Sequence, residues 1–99
     1  MSESGHIVER EDNGVSGRYV IHLGGADEAE MTYRRRGADT LIVDHTGTPP
    51  AYRGQGIAQM LVDRLIADAR VEPFRIVPLC SYVAAQFRRH PEWADLLAG

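Results

Sequence analysis

The run Arg53-Gly54-Gln55-Gly56-Ile57-Ala58 sets a cation and two glycines between an alternating apolar segment, Leu41 to Thr48, and an amphipathic helical one. The chemistry open to such a turn is anion binding. Backbone N–H groups at a helix start have no partners of their own, the helix dipole adds partial positive charge, and glycines admit a phosphate close to the main chain. Gly54 to Ile57 contains no Asp or Glu, the residues that ordinarily stabilise a first helical turn, and Arg53 stands beside it. The alternative is a plain glycine-rich turn into a helix. Two phosphate loops are excluded by residue type. No Gly-Lys-Ser/Thr follows Gly56, as a nucleotide-triphosphate loop requires, and Gln59 stands where a dinucleotide loop needs a third small residue. Two further side chains carry chemistry of their own. His45 has a proton affinity near neutrality, and Cys80, the single cysteine, can act as a nucleophile once ionised or sit as an inert small hydrophobe.

Period-two apolar patterning and turn residues predict a meander of antiparallel strands ahead of this turn. Ile7 to Glu11 reads as a short edge strand, Asp12-Asn13-Gly14 as a hairpin, and Arg18 to Leu23 as a second strand with Tyr19, Ile21 and Leu23 on one face. Gly24-Gly25 turns into a third strand lined by Ala29, Met31 and Tyr33, and Gly37-Ala38-Asp39 turns into a fourth. Strict alternation in the fourth puts Leu41, Val43 and His45 on one face and Ile42, Asp44 and Thr46 on the other, so His45 is expected with the packed residues. A helix from about Gln55 to Arg70 follows, with Ile57, Leu61, Leu65 and Ala69 in one row, ended by Glu72-Pro73. Phe74 to Leu79 is nearly continuous and apolar, which suggests a strand buried on both faces and parallel to the fourth. A helix from Ser81 to His90 carries Val83, Ala84 and Phe87 inward, and after Pro91 the residues Trp93, Leu96 and Leu97 clamp the end of the chain. The expected class is mixed α/β: four antiparallel strands, a helix, a parallel fifth strand and C-terminal helices.

Arg53, Gly56 and Ala58 match the pattern Arg/Gln-x-x-Gly-x-Gly/Ala, which resembles the pyrophosphate loop by which the GNAT acetyltransferases grip coenzyme A. The likeness extends outward through Val43-Asp44-His45-Thr46, Pro49-Pro50, Val77-Pro78-Leu79-Cys80-Ser81-Tyr82-Val83 and Arg89-His90-Pro91-Glu92-Trp93, and covers most of the chain. It is to the very small single-domain GNAT-like proteins, which keep the acetyl-coenzyme A half of the superfamily fold. The resemblance implies that strands four and five splay apart and admit the pantetheine arm. Main-chain groups from Asp44 through Thr46 to Thr48 would bond that arm, and Arg53, Gly54, Gln55, Gly56, Ile57 and Ala58 would hold the pyrophosphate. Ser81, Tyr82 and Phe87 would complete the coenzyme site. Cys80 would lie near the thioester, as acetyl acceptor or as proton donor to the departing thiolate, with His45 facing it across the cleft as the base for the amine. Relatives commonly carry a larger or acidic residue where this chain has Gly47, so no carboxylate base is available there. The implied activity is acetyl-coenzyme A-dependent transfer to a primary amine of a small molecule or protein; the alternative is a non-catalytic acyl-coenzyme A sensor.

Composition fits one soluble domain spanning residues 1–99, with 43% hydrophobic and 25% charged residues and no linker-like stretch. No apolar run approaches the roughly 20 residues of a membrane span and no signal-peptide pattern opens the chain, so a cytoplasmic protein without membrane contact is expected. His6, His22, His45 and His90 are scattered and one cysteine makes no cluster, which predicts no metal site. A net charge of −3 argues against general nucleic-acid binding despite Arg34-Arg35-Arg36, read as a solvated strand end. A monomer or weak homodimer is expected.

Overall fold

The computed structural model describes residues 6–98; Met1 to Gly5 and Gly99, included in the expected domain, lie outside the described residues. Five strands form one sheet in the order of the chain: β1 (Val8–Asp12), β2 (Ser16–Gly24), β3 (Asp27–Arg36), β4 (Thr40–Gly47) and β5 (Arg75–Pro78). The first four pair antiparallel and β5 joins β4 in parallel. A parallel neighbour requires a crossover, and helix α1 (Ile57–Val71) supplies it. Helix α2 (Ser81–Arg89) and a 3₁₀ segment, Pro91–Leu96, follow. The hairpin forms where the turn residues are: the Asn13 carboxamide accepts from the N–H groups of Val15 and Ser16 at 2.9 and 2.8 Å.

Tyr19, Ile21, Ala29, Met31, Tyr33, Leu41, Val43 and Ile76 all point to one face of the sheet and share a core with Leu61, Val62 and Leu65 of α1 and Val83 and Phe87 of α2. Burying that apolar surface is the main stabilising term. The opposite face carries Glu9, Glu11, Arg18, His22, Glu28 and Glu30, with Arg18 bound to Glu11, Glu28 and Glu30 at 2.8 to 2.9 Å. The expectation that β5 is buried on both faces therefore fails: Ile76 is buried, whereas Arg75 and Leu79 are exposed, because α1 and α2 share the other face. Trp93 and Leu96 are buried as expected, but Leu97 clamps through its main chain, which bridges Ile76, and the Ala98 N–H donates to the Ile76 carbonyl at 2.9 Å. Of the three arginines at the end of β3, Arg35 is not simply solvated; it pairs with Asp12 at 2.8 Å.

Candidate functional site

Helix α1 begins at Ile57, two residues later than the periodicity suggests, because Gly54 and Gly56 both take left-handed backbone angles, φ +80° and +78°. A Cβ at either would meet nothing within 4 Å, so glycine is required by conformation and not by space. The first helical bond runs from the Met60 N–H to the Gly56 carbonyl at 3.2 Å, which leaves the N–H groups of 57–59 without helical acceptors. The first turn holds no acidic residue and Gly56 offers no side-chain cap. These donors open on a cleft of about 490 Å³ whose floor is Gly54, Gly56, Ile57 and Ala58, with Arg53 and Gln59 beside them and Thr46, Gly47, Thr48, Tyr52 and Tyr82 as walls. Among the described residues, one cation and no carboxylate line it. Arg53 donates from Nε to the Thr48 carbonyl at 3.3 Å, which ties the guanidinium to the end of β4. A diphosphate suits this donor set: two or more free N–H groups, a helix N-terminus, a fixed guanidinium and close approach over glycine.

The other wall is built by a change of register in β4. Thr32 pairs with His45 while Tyr33 pairs with Val43, so Asp44 is an extra residue in β4, a one-residue bulge. Such an insertion exchanges the faces of everything after it. The expected placement of His45 with Leu41 and Val43 is corrected accordingly: His45 lies on the open face, its side chain 58% exposed and its Nε2 3.8 Å from Glu30. Thr46 takes the covered face opposite Met31. Asp44, exposed, accepts from the Thr32 hydroxyl at 2.6 Å and lies 3.5 Å from Arg34, which pins the bulge on the open side. A Cβ on Gly47 would come within 3.2 Å of His45 Nε2, so the small residue there makes room for the ring at the rim of the cleft.

β4 and β5 pair only as far as Val43 and Pro78. Beyond that point the N–H groups of Leu79 and Cys80 both converge on the Val43 carbonyl, at 2.9 and 3.0 Å, and β4 continues to Gly47 with no β5 partner. The expected parting of the two strands is present. Cys80 occupies the position before α2, with extended angles of φ −68° and ψ 130°, and is half-buried. Its Sγ lies 3.5 Å from Thr46 Oγ1. Burial pushes the Cys80 thiol up, but the Thr46 hydroxyl and the backbone N–H groups of Val83, Tyr82 and Thr46 outweigh it and leave the thiol below its ordinary range.

Of the residues singled out in the sequence, Thr46, Arg53, Gly54, Gly56, Ile57, Ala58 and Tyr82 line one cleft, and Cys80 stands one hydrogen bond behind its wall. Gln55 is exposed and spends its amide on the Ala51 carbonyl at 3.3 Å. Ser81 is exposed at the start of α2, and Phe87 belongs to the core, edge-on to Trp93 at 5.5 Å between ring centroids. Asp44 and His45 face away from the thiol. Tyr52 and Gln59 are additional lining residues. Gln59 was legible in principle, being the polar residue in the first turn of α1; Tyr52 owes its place to the short 3₁₀ turn Pro50–Tyr52, which period-based reading does not detect.

Residues 18–96 match the family described as GCN5-related N-acetyl-transferase. Among curated proteins, the chain is similar to Protein NATD1 of Gallus gallus, 26% identical over 92 residues, which covers 92% of this chain and 84% of that protein. It is also similar to Protein NATD1 of Bos taurus, 28% identical over 90 residues, covering 90% and 80% respectively. Among solved structures it resembles a GCN5-like protein from Staphylococcus aureus determined by NMR, with a TM-score of 0.70 and 26% identity over all of this chain and 92% of that one. The match over most of the chain, and the five-stranded sheet whose parallel fifth strand parts from the fourth beside a glycine-rich helix start, have one meaning: the chain belongs to the GCN5-related N-acetyltransferase family.

Proposed function

We propose that this protein is an acetyl-coenzyme A-dependent N-acetyltransferase that acts on a primary amine, carried by a small molecule or displayed on a protein. The observation that carries this reading is the cleft at the mouth of α1, lined by no carboxylate among the described residues, with Arg53 tied at its edge and Cys80 behind the Thr46 wall where β4 and β5 part. Acetyl-coenzyme A brings a diphosphate and an acetyl thioester at the end of a flexible arm. Arg53 and the N–H groups of 57–59 hold the diphosphate, and Gly54 and Gly56 let it approach the backbone. The main chain of 44–48, which has no β5 strand partner, bonds the arm, and Tyr82 flanks it.

The donors around Cys80 favour the ionised thiol, which supports it as the acetyl acceptor. Its Sγ attacks the thioester carbonyl and forms a new thioester, the bond to the coenzyme sulfur breaks, and the released thiolate takes a proton from solvent. An ammonium group approaching over the open face gives one proton to His45 beside Glu30; the neutral amine, having passed the rim of the cleft at Gly47, attacks acetyl-Cys80, the Cys80 thiolate leaves, and the remaining amine proton passes to solvent. The amine reaches the site over the open face of β4.

Incubation with acetyl-coenzyme A, with thiol release followed with and without a panel of amines and the protein weighed afterward, tests the reading. The expected outcome is amine-dependent release, and a mass gain of one acetyl group that Cys80→Ala abolishes. Coenzyme binding without release under any amine would contradict transfer and favour an acyl-coenzyme A sensor.

A further inference from the structure

We propose that Thr46 is the positioning residue for Cys80: its hydroxyl, turned toward the thiol by the extra residue at Asp44, donates to Sγ and holds the sulfur as a thiolate. Two independent features carry this. The first is the register of β4, in which pairing of Thr32 with His45 and of Tyr33 with Val43 exchanges the faces, so that Thr46 and not His45 reaches the covered side. The second is the contact itself, 3.5 Å between Thr46 Oγ1 and Cys80 Sγ. Either atom can donate while the thiol is protonated. Once it ionises, only the hydroxyl can, so the bond strengthens in one protonation state and biases the equilibrium toward it.

Among the described residues, the charged side chains of β4, α1, α2 and the neighbourhood of β5 have partners or positions away from the thiol. From β4, Asp44 is held by Thr32 and Arg34, and His45 lies on the open face 3.8 Å from Glu30. Across the cleft, Arg53 is tied to the Thr48 carbonyl. On α1, Asp63 accepts from Gln59 at 2.9 Å, and beside β5 Arg75 reaches the Leu97 carbonyl. Arg88 and Arg89 stand in the last turn of α2, at the far end of that helix from Cys80. Neutral donors, not an ion pair, therefore poise the sulfur. The role in catalysis rests on the acyl-transfer reading, but the poise does not need the coenzyme and is measured without it.

Cys80 is the single cysteine, so the rate of alkylation by iodoacetamide as a function of pH reports its ionisation alone in the free protein. Thr46→Val and Thr46→Ala are expected to raise the midpoint by about one pH unit, the size of a lost hydrogen bond to an ion, whereas Thr46→Ser stays close to the parent. An unchanged midpoint in both Thr46→Val and Thr46→Ala, or an equal rise in Thr46→Ser, overturns the proposal. Titration of the same preparations with coenzyme A separates the two ideas: a parent that binds no coenzyme sinks the acyl-transfer reading and leaves the alkylation result standing.

Discussion

If the cleft takes coenzyme A as proposed, Arg53 is the side chain on which affinity is expected to depend most, because among the described residues it is the one cation lining the cleft and its guanidinium is already tied to the Thr48 carbonyl at 3.3 Å. Holding a side chain in place before binding reduces the entropy lost on binding. Arg53→Gln keeps a polar chain of similar reach but removes the charge. Affinity for coenzyme A is expected to fall by about tenfold or more, with a weaker salt dependence, as measured by calorimetry at two ionic strengths. His45 teaches a different lesson. Its side chain was expected across the cleft from Cys80, and one inserted residue, Asp44, turns it to Glu30 instead. No glycine or proline marks that insertion in the sequence. The bulge is held by tertiary partners, the Thr32 hydroxyl and Arg34, that a reading of β4 alone cannot supply.

Helix α1 combines two demands that usually conflict. An acidic residue in its first turn would stabilise the helix, and the proposed diphosphate requires that none be there. Ala58, which lines the cleft in that turn, separates them. Ala58→Glu is expected to strengthen the helix by about 0.3–1 kcal/mol while weakening coenzyme binding by at least about tenfold, read as opposite changes in melting temperature and affinity. Most elements were legible because their signals are local. Asp12-Asn13-Gly14 makes its turn through its own side chains, and Ile57, Leu61, Leu65 and Ala69 are buried in one row as their spacing requires. α1 starts two residues later than its apolar spacing predicts because left-handed glycines end the helical pattern without breaking the apolar one. β5 is covered on one face and not on two because both helices lie on the same side of the sheet, which apolar residues alone do not reveal.

The cleft and a polar lock lie at opposite ends of the sheet. Away from the cleft, β1 is fastened to α1 by Arg10, which bonds the Tyr33 hydroxyl at 3.0 Å, Asp68 at 3.3 Å and Glu72. Tyr19 donates to Asp68 at 2.8 Å, and Tyr33 donates to Asp12. Arg35 holds the Asp12 carboxyl far below the usual carboxylate range; burial works against this, and the Tyr33 hydroxyl and the Gly14 N–H add to it. A depressed folded value means stability that is present above the ordinary aspartate range and is lost as pH falls below about 4 toward the folded value. Melting temperature followed from pH 6 to pH 2 should therefore drop along an acid limb that is shallower in Asp12→Asn. Burial, followed by the bond to Asp68, raises the Tyr19 phenol. Its contribution is present below the ordinary phenol range and is lost as pH climbs above it through the folded value. Neither limb touches the cleft, so coenzyme binding and fold stability can be varied separately.

Calorimetric titration of the parent protein and of Ala58→Glu with coenzyme A addresses the anion site directly. One molecule bound per chain by the parent, with affinity sharply reduced in a variant that melts no lower, is the expected result. No heat with the parent, or equal affinity in the two, would contradict a diphosphate held at the mouth of α1.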